Sequence, residues 1–242
     1  MRMLNFAKRN FKELIRDPLS LIFEIILPIF LLFIFQQFKI PEEAYKLENF
    51  TPGIIIFGLS FITLFTATLV AKDRTSSLLI RLGTSPMKSS DYILGYILSI
   101  LPIVLIQDIL FFIVAILLGL SFSINIIYTI LVSLVISVFF ISMGLLIGSL
   151  TSEKGTGGIG SVVVQLVCFT SGMYFSSDLV GKTFNTICQV LPFESCLNII
   201  KGVLNDINII SIRNIIVFSI YMILVLVIAI IVFKKKMVSD NK

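Results

Sequence analysis

Residues able to do chemistry are few in this sequence, and their spacing excludes more than it suggests. None of the 242 residues is His, which removes the commonest general base and metal ligand. Cys168, Cys188 and Cys196 show no zinc-like or redox spacing; Cys188 and Cys196 can be read as a disulfide pair or as two separate small hydrophobes. The GTGGIG stretch at 155–160 lacks the Lys of a nucleotide loop and does not sit between a strand and a helix. No HExxH and no Ser-His-Asp set occurs. Only Asp108 lies well inside an apolar run, beside Gln107, whereas an intramembrane aspartyl hydrolase needs two facing carboxylates. A carboxylate at a membrane-helix centre costs roughly 2.5–3.5 kcal/mol, so Asp108 must face protein or water. It reads either as a hydrogen-bonded packing residue or as a polar point on a translocation path with Gln107. No catalytic, cofactor-binding or metal-ligating residue is expected, and the chain does not read as an enzyme.

The elements that must position these residues are apolar runs. Hydrophobic residues make up 57% of the chain, 22 of them Phe, and charged residues only 14%, against about 25% in soluble domains. Such a chain cannot cover its core with polar surface, and its solvent is lipid. The expected fold is an all-α integral membrane protein of six transmembrane helices in one domain over 1–242. Spans 1 and 2 fall in 19–71, spans 3 and 4 in 92–150, and spans 5 and 6 in 158–233. The fifth, about Ile159 to Tyr174, is short and glycine-rich at its start, so a re-entrant segment is its alternative. Pro28 predicts a kink in the first span. Gly144 and Gly148, four apart, permit a close helix approach. A helical pair separated by Pro192, with the outer segment at 184–204, is expected outside the membrane before the last span.

Residues 1–17 form an arm. Leu4, Ala7, Phe11 and Leu14/Ile15 recur at helical spacing while Lys8, Arg9, Lys12 and Arg16 fill the other face, the pattern of a helix lying at the membrane surface. Asp17 and Pro18 suit the cap and first turn of the next helix. Glu24, near the start of the first span, reads as a headgroup-level carboxylate, either paired with Arg16 or another basic residue or solvated. The 72–91 connection carries Lys72, Arg74, Arg81 and Lys88 around the apolar segment Leu78 to Leu82; it offers a knob for a soluble partner or a short helix lying on headgroups. Of 19 Lys and Arg, 14 fall in the arm, 72–91, 151–157 and the tail. Six spans place these segments on one side, so both termini are expected in the cytosol. The net charge of +5 is thereby spent on orientation, and no nucleic-acid groove is implied.

Three stretches, KELIRDPLSLIFEIILPIFLLFIF, LVAKDRTSSLLIRLGTSPMKSSDYILGYIL and FTSGMYFSSDLVGKTFNTICQVLPFESCLNIIKGVL, occur in an order and spacing that resembles the ABC-2 type transport permeases, the membrane subunits of bacterial ABC exporters. The resemblance implies a bacterial cytoplasmic-membrane permease that forms the substrate path with a second permease copy or a homologous permease. Separate cytosolic ATPase subunits would bind ATP-Mg and do the hydrolysis. It also implies that Arg74, Leu79, Arg81 and Leu82 contact or orient the ATPase, that Phe11 and Leu14 anchor the arm, and that 184–204 closes the extracellular end. A hydrophobic drug or antimicrobial peptide is the expected cargo; a lipid-linked glycan exporter subunit or a non-transporting scaffold or immunity protein are the alternatives.

Overall fold

The computed structural model describes residues 2–38, 45–76, 89–175, 180–205 and 210–239. Most of these residues are helical, and no strand occurs among them. The amphipathic helix α1 spans Arg2–Ile15. It is followed by α2 (Pro18–Gln37), α3 (Leu47–Thr75), α4 (Ser89–Leu117), α5 (Asn125–Leu150) and α6 (Glu153–Thr170). The short α7 (Lys182–Val190) and α8 (Pro192–Asn205) lead to α9 (Ile212–Ser239). The protein is an all-α, multi-pass integral membrane protein, and α2, α3, α4, α5 and α9 are each long and apolar enough to cross a bilayer.

A sixth crossing follows from packing. Helix α6 has only 18 residues and opens on Glu153, because Ser152 Oγ accepts the Gly155 N–H and starts the helix inside the expected polar loop 151–157. It nevertheless runs antiparallel along the whole of α3. Thr75 Oγ1 donates to Glu153 Oε2 at one end, Leu64 fills the space beside Gly160 midway, and Met173 lies against Gly53. Tyr45 OH closes the far end on the Tyr174 carbonyl, 2.9 Å away. A segment that accompanies a spanning helix over its full height spans as well.

The pair α7–α8 sits deeper than an external cap. It bends by 77° at the Pro192 break. Phe193 packs against Phe139 and Phe140 in the middle of α5, whereas the Leu204 carbonyl receives Asn125 Nδ2 at the start of α5. Helix α8 is therefore sunk among α3, α5 and α9, while α7 stays largely exposed around its buried Cys188. Cys168 and Cys196 are buried as well, and all three thiols are free, so the disulfide alternative is not realised.

Helix α3 is the axis of the bundle: 83% of its apolar window is enclosed, against 11% for α9. Small residues let α5 close on it. A Cβ at Gly148 would lie 2.5 Å from the Ala67 carbonyl oxygen, and one at Gly144 would lie 2.6 Å from that of Thr63. Between membrane helices, where lipid supplies no hydrophobic drive, such close packing is a main source of association. Gly157 on α6, by contrast, has nothing within 4 Å of its Cβ position. Gly148→Val should therefore destabilise the purified protein by about 1–3 kcal/mol, while Gly157→Ala should be neutral or stabilising by up to about 1 kcal/mol. Melting temperatures in one detergent compare the two; equal shifts would show that the α3–α5 seam is not tightly closed.

Candidate coupling site

Where α1, α3 and α4 meet, three elements are joined through one carboxylate. Asp73 has no exposed surface. Its Oδ1 receives Arg9 Nη1 at 2.6 Å, and its Oδ2 receives the hydroxyl of Tyr96 at 2.8 Å. The other guanidinium nitrogen of Arg9 pairs with Glu13 Oε2 at 2.6 Å, and Lys72 Nζ reaches Glu13 Oε1 at 2.8 Å. Arg9 also donates to Asn10 Oδ1. Beneath these charges Phe6 stands edge-on to both Tyr92 and Tyr96, and Phe233 of α9 packs on the same two rings. The arm and the end of α9 thus lie at one face of the bundle, as six crossings require.

The arm's buried stripe is displaced from the one its periodicity suggests. Phe6, Ala7, Asn10 and Leu14 are buried and Phe11 is half-buried, whereas Leu4 and Ile15 are exposed. Arg74 turns inward: its Nη1 donates to the carbonyls of Gly148 and Ser149 at 3.0 and 2.7 Å, capping the carboxyl end of α5. Leu79, Arg81 and Leu82 lie outside the described residues.

Asp17 caps α2 as its sequence suggests, accepting from the Ser20 hydroxyl at 2.5 Å. Four residues before Pro28, the helix opens into a π-turn over Ile22–Ile26. Pro28 has no N–H to give the Glu24 carbonyl and its ring crowds that oxygen, and the wider turn relieves both. The turn carries Glu24 inward to 2% exposure, beside a small cavity it shares with Thr66 and Ile103. Glu24 is neither solvated nor paired with Arg16, and its Oε1 has no hydrogen-bond partner among the described residues.

Gln107 and Asp108 are fully buried. Asp108 Oδ2 receives the Ser133 hydroxyl of α5, while Oδ1 and both amide atoms of Gln107 have no hydrogen-bond partner among the described residues. Gln107 lies over Gly58 of α3, leaving a polar layer in the centre of the bundle.

Reasoning from the sequence missed Asp73, Glu13 and Tyr96. Asp73 sits between Lys72 and Arg74 and reads there as loop charge. Extending helical spacing past Ala71 finds it, because Asp73 follows the buried Val70 by three residues and Thr66 by seven.

The profile of the ABC-2 type transporter family matches residues 3–205, which include α1 through α8. The chain belongs to the ABC-2 type transporter family. Among curated proteins none matches the sequence. An ABC-2 membrane domain is a permease, so the chain is a transmembrane permease subunit of an ABC transporter. In this permease the α1–α3–α4 joint stands at the base of the 72–91 connection.

Hydrogen bonds to a charged group contribute about 1.5–3 kcal/mol, so Asp73→Asn and Arg9→Gln should each destabilise by about that amount. Because each removes the same pairing, the double variant should lose less than the sum, with a coupling of about 0.5–3 kcal/mol. Detergent melting of the four proteins measures it. Strict additivity would separate the arm from α3 energetically.

Proposed function

We propose that this permease forms the substrate path of an ATP-driven exporter in the bacterial cytoplasmic membrane, with both termini in the cytosol, and that separate cytosolic ATPase subunits drive it. The observation that carries the proposal is the junction at Asp73. Arm, axial helix and α4 are tied to one buried carboxylate at the very start of the 72–91 connection, so a push on that connection is delivered to α3, the most enclosed helix of the bundle. Leu79, Arg81 and Leu82 supply the knob. Arg74 orients it from behind through the end of α5, and Leu14 and Phe11 seat the arm.

ATP-Mg bound at the partner draws the two ATPase subunits together, and their approach displaces the connections of two permease copies, or of this permease and a homologous one. The six-helix bundles then repack from inward-open toward outward-open. Work is done only if access or affinity for cargo differs between the two states. Gln107 and Asp108 supply polarity at mid-depth along such a path, and a hydrophobic drug or antimicrobial peptide is the cargo that the family suggests.

Two measurements test this reading. Leu79→Asp with Arg81→Glu should abolish pull-down of the ATPase and coupled ATP hydrolysis, with the permease still inserted; intact assembly and coupling would remove the knob assignment. Asp108→Asn keeps the shape of the side chain and removes its charge. It should lower transport by about tenfold or more at normal assembly, since one lost charged contact is worth about 1.5–3 kcal/mol. Unchanged transport would return Asp108 to a packing role.

A further inference from the structure

A cleft of about 910 Å³ opens between α1, α2 and α3. Its rim carries five cations, Lys8, Arg9, Lys12, Arg16 and Lys72, and two carboxylates, Glu13 and Asp17, over a floor that includes Leu14, Phe65 and Leu69. The cations are not equivalent. Arg9 and Lys72 are committed to Asp73 and Glu13, and Asp17 is committed to the cap of α2. Lys8, Lys12 and Arg16 are exposed and form no ion pair among the described residues. They follow one another at four-residue intervals, so they form a ladder about 12 Å long on one side of the arm.

The cleft is also graded in depth. Phe65 lies seven residues before Lys72 on α3, about 10 Å further into the membrane. From Phe65 an aromatic run continues across the contact of α3 with α2 to the lipid-facing side: Phe65 stacks on the buried Phe61 with centroids 6.0 Å apart, and Phe61 on Phe23 at 6.1 Å. Phe23 is 46% exposed, and Leu19 and Ile22 beside it are exposed too. Cations above an apolar floor that runs out to the lipid-facing side match an amphiphile with an anionic head. A soluble anion would leave the floor unused.

We propose that this cleft binds an anionic phospholipid of the surrounding bilayer, with its phosphate against Lys8, Lys12 and Arg16 and an acyl chain along Phe65, Phe61 and Phe23. The bound lipid then fills the space between arm and bundle and becomes a third component of the joint at Asp73. The inference needs only that the chain lies in a bilayer, and it stands whether or not the exporter reading does.

The test uses the full chain, purified in detergent, and native mass spectrometry of retained phosphatidylglycerol against phosphatidylcholine. Each cation near an anionic headgroup contributes about fivefold in affinity, so the wild-type chain should prefer phosphatidylglycerol. Lys8→Gln with Lys12→Gln and Arg16→Gln should lose on the order of 100-fold. The charge-preserving set Lys8→Arg, Lys12→Arg and Arg16→Lys should bind as the wild type does, which separates charge from folding. Excess glycerol phosphate, the headgroup without its chains, should fail to displace the lipid; full displacement would make the cleft a free-anion site and overturn the proposal. Equal retention of both lipids by the wild-type chain, or unchanged preference in the Gln variant, would also overturn it. So would a photo-crosslinker at Lys12 that captures a second copy of the chain in place of lipid.

Discussion

Burying a charged carboxylate costs far less where a cation and hydrogen-bond donors reach it, and for Asp73 those partners come from two other helices. Arg9 arrives from the arm and Tyr96 from α4, so the identity of one residue near the end of α3 decides where three elements sit. The arm is otherwise a 14-residue surface helix, the kind of element that lipid alone would hold loosely. Pinned at Asp73 and braced by Phe6 on Tyr92 and Tyr96, it becomes part of the bundle.

The proposed transmission through that joint depends on how closely the rest of α3 is packed. Gly144 and Gly148 bring α5 into backbone contact with it, α6 follows it from end to end, and Arg74 ties its end to the last carbonyls of α5. On the proposed reading, a displacement at one face passes along this packed axis. Polar sites interrupt this packing: Glu24 at the π-turn and the Gln107–Asp108 layer hold buried atoms with no hydrogen-bond partner among the described residues, and such atoms mark where repacking or hydration is most favoured.

The spans were legible because run length and missing charge are direct consequences of lipid as solvent, and the resemblance carried by the three quoted stretches led to the family that the profile match establishes. Depth and register were not legible. Short amphipathic helices such as α7 and α8 read alike whether they lie on a surface or sink into a bundle, since both settings need one apolar face. The arm's periodicity identified an apolar stripe but not its edge, so Leu4 and Ile15 stood in for Phe6 and Asn10. Glu24 was misplaced because a π-turn rotates the helix in a way no residue-by-residue spacing anticipates. At the candidate site, Arg74 and Leu14 stand out in the sequence, but Asp73 is hidden by its charged neighbours Lys72 and Arg74.

Orientation carries the whole account: the joint can transmit force from a cytosolic motor only if its face of the bundle is the cytosolic one. In a chain whose three native cysteines are replaced, single cysteines at Lys8, Lys88 and Lys235 can be probed with a membrane-impermeant thiol reagent in intact cells and after permeabilisation. The account predicts that all three are protected in intact cells and labelled once the membrane is opened. Labelling of any of them from outside would place that segment across the bilayer from the motor and contradict it.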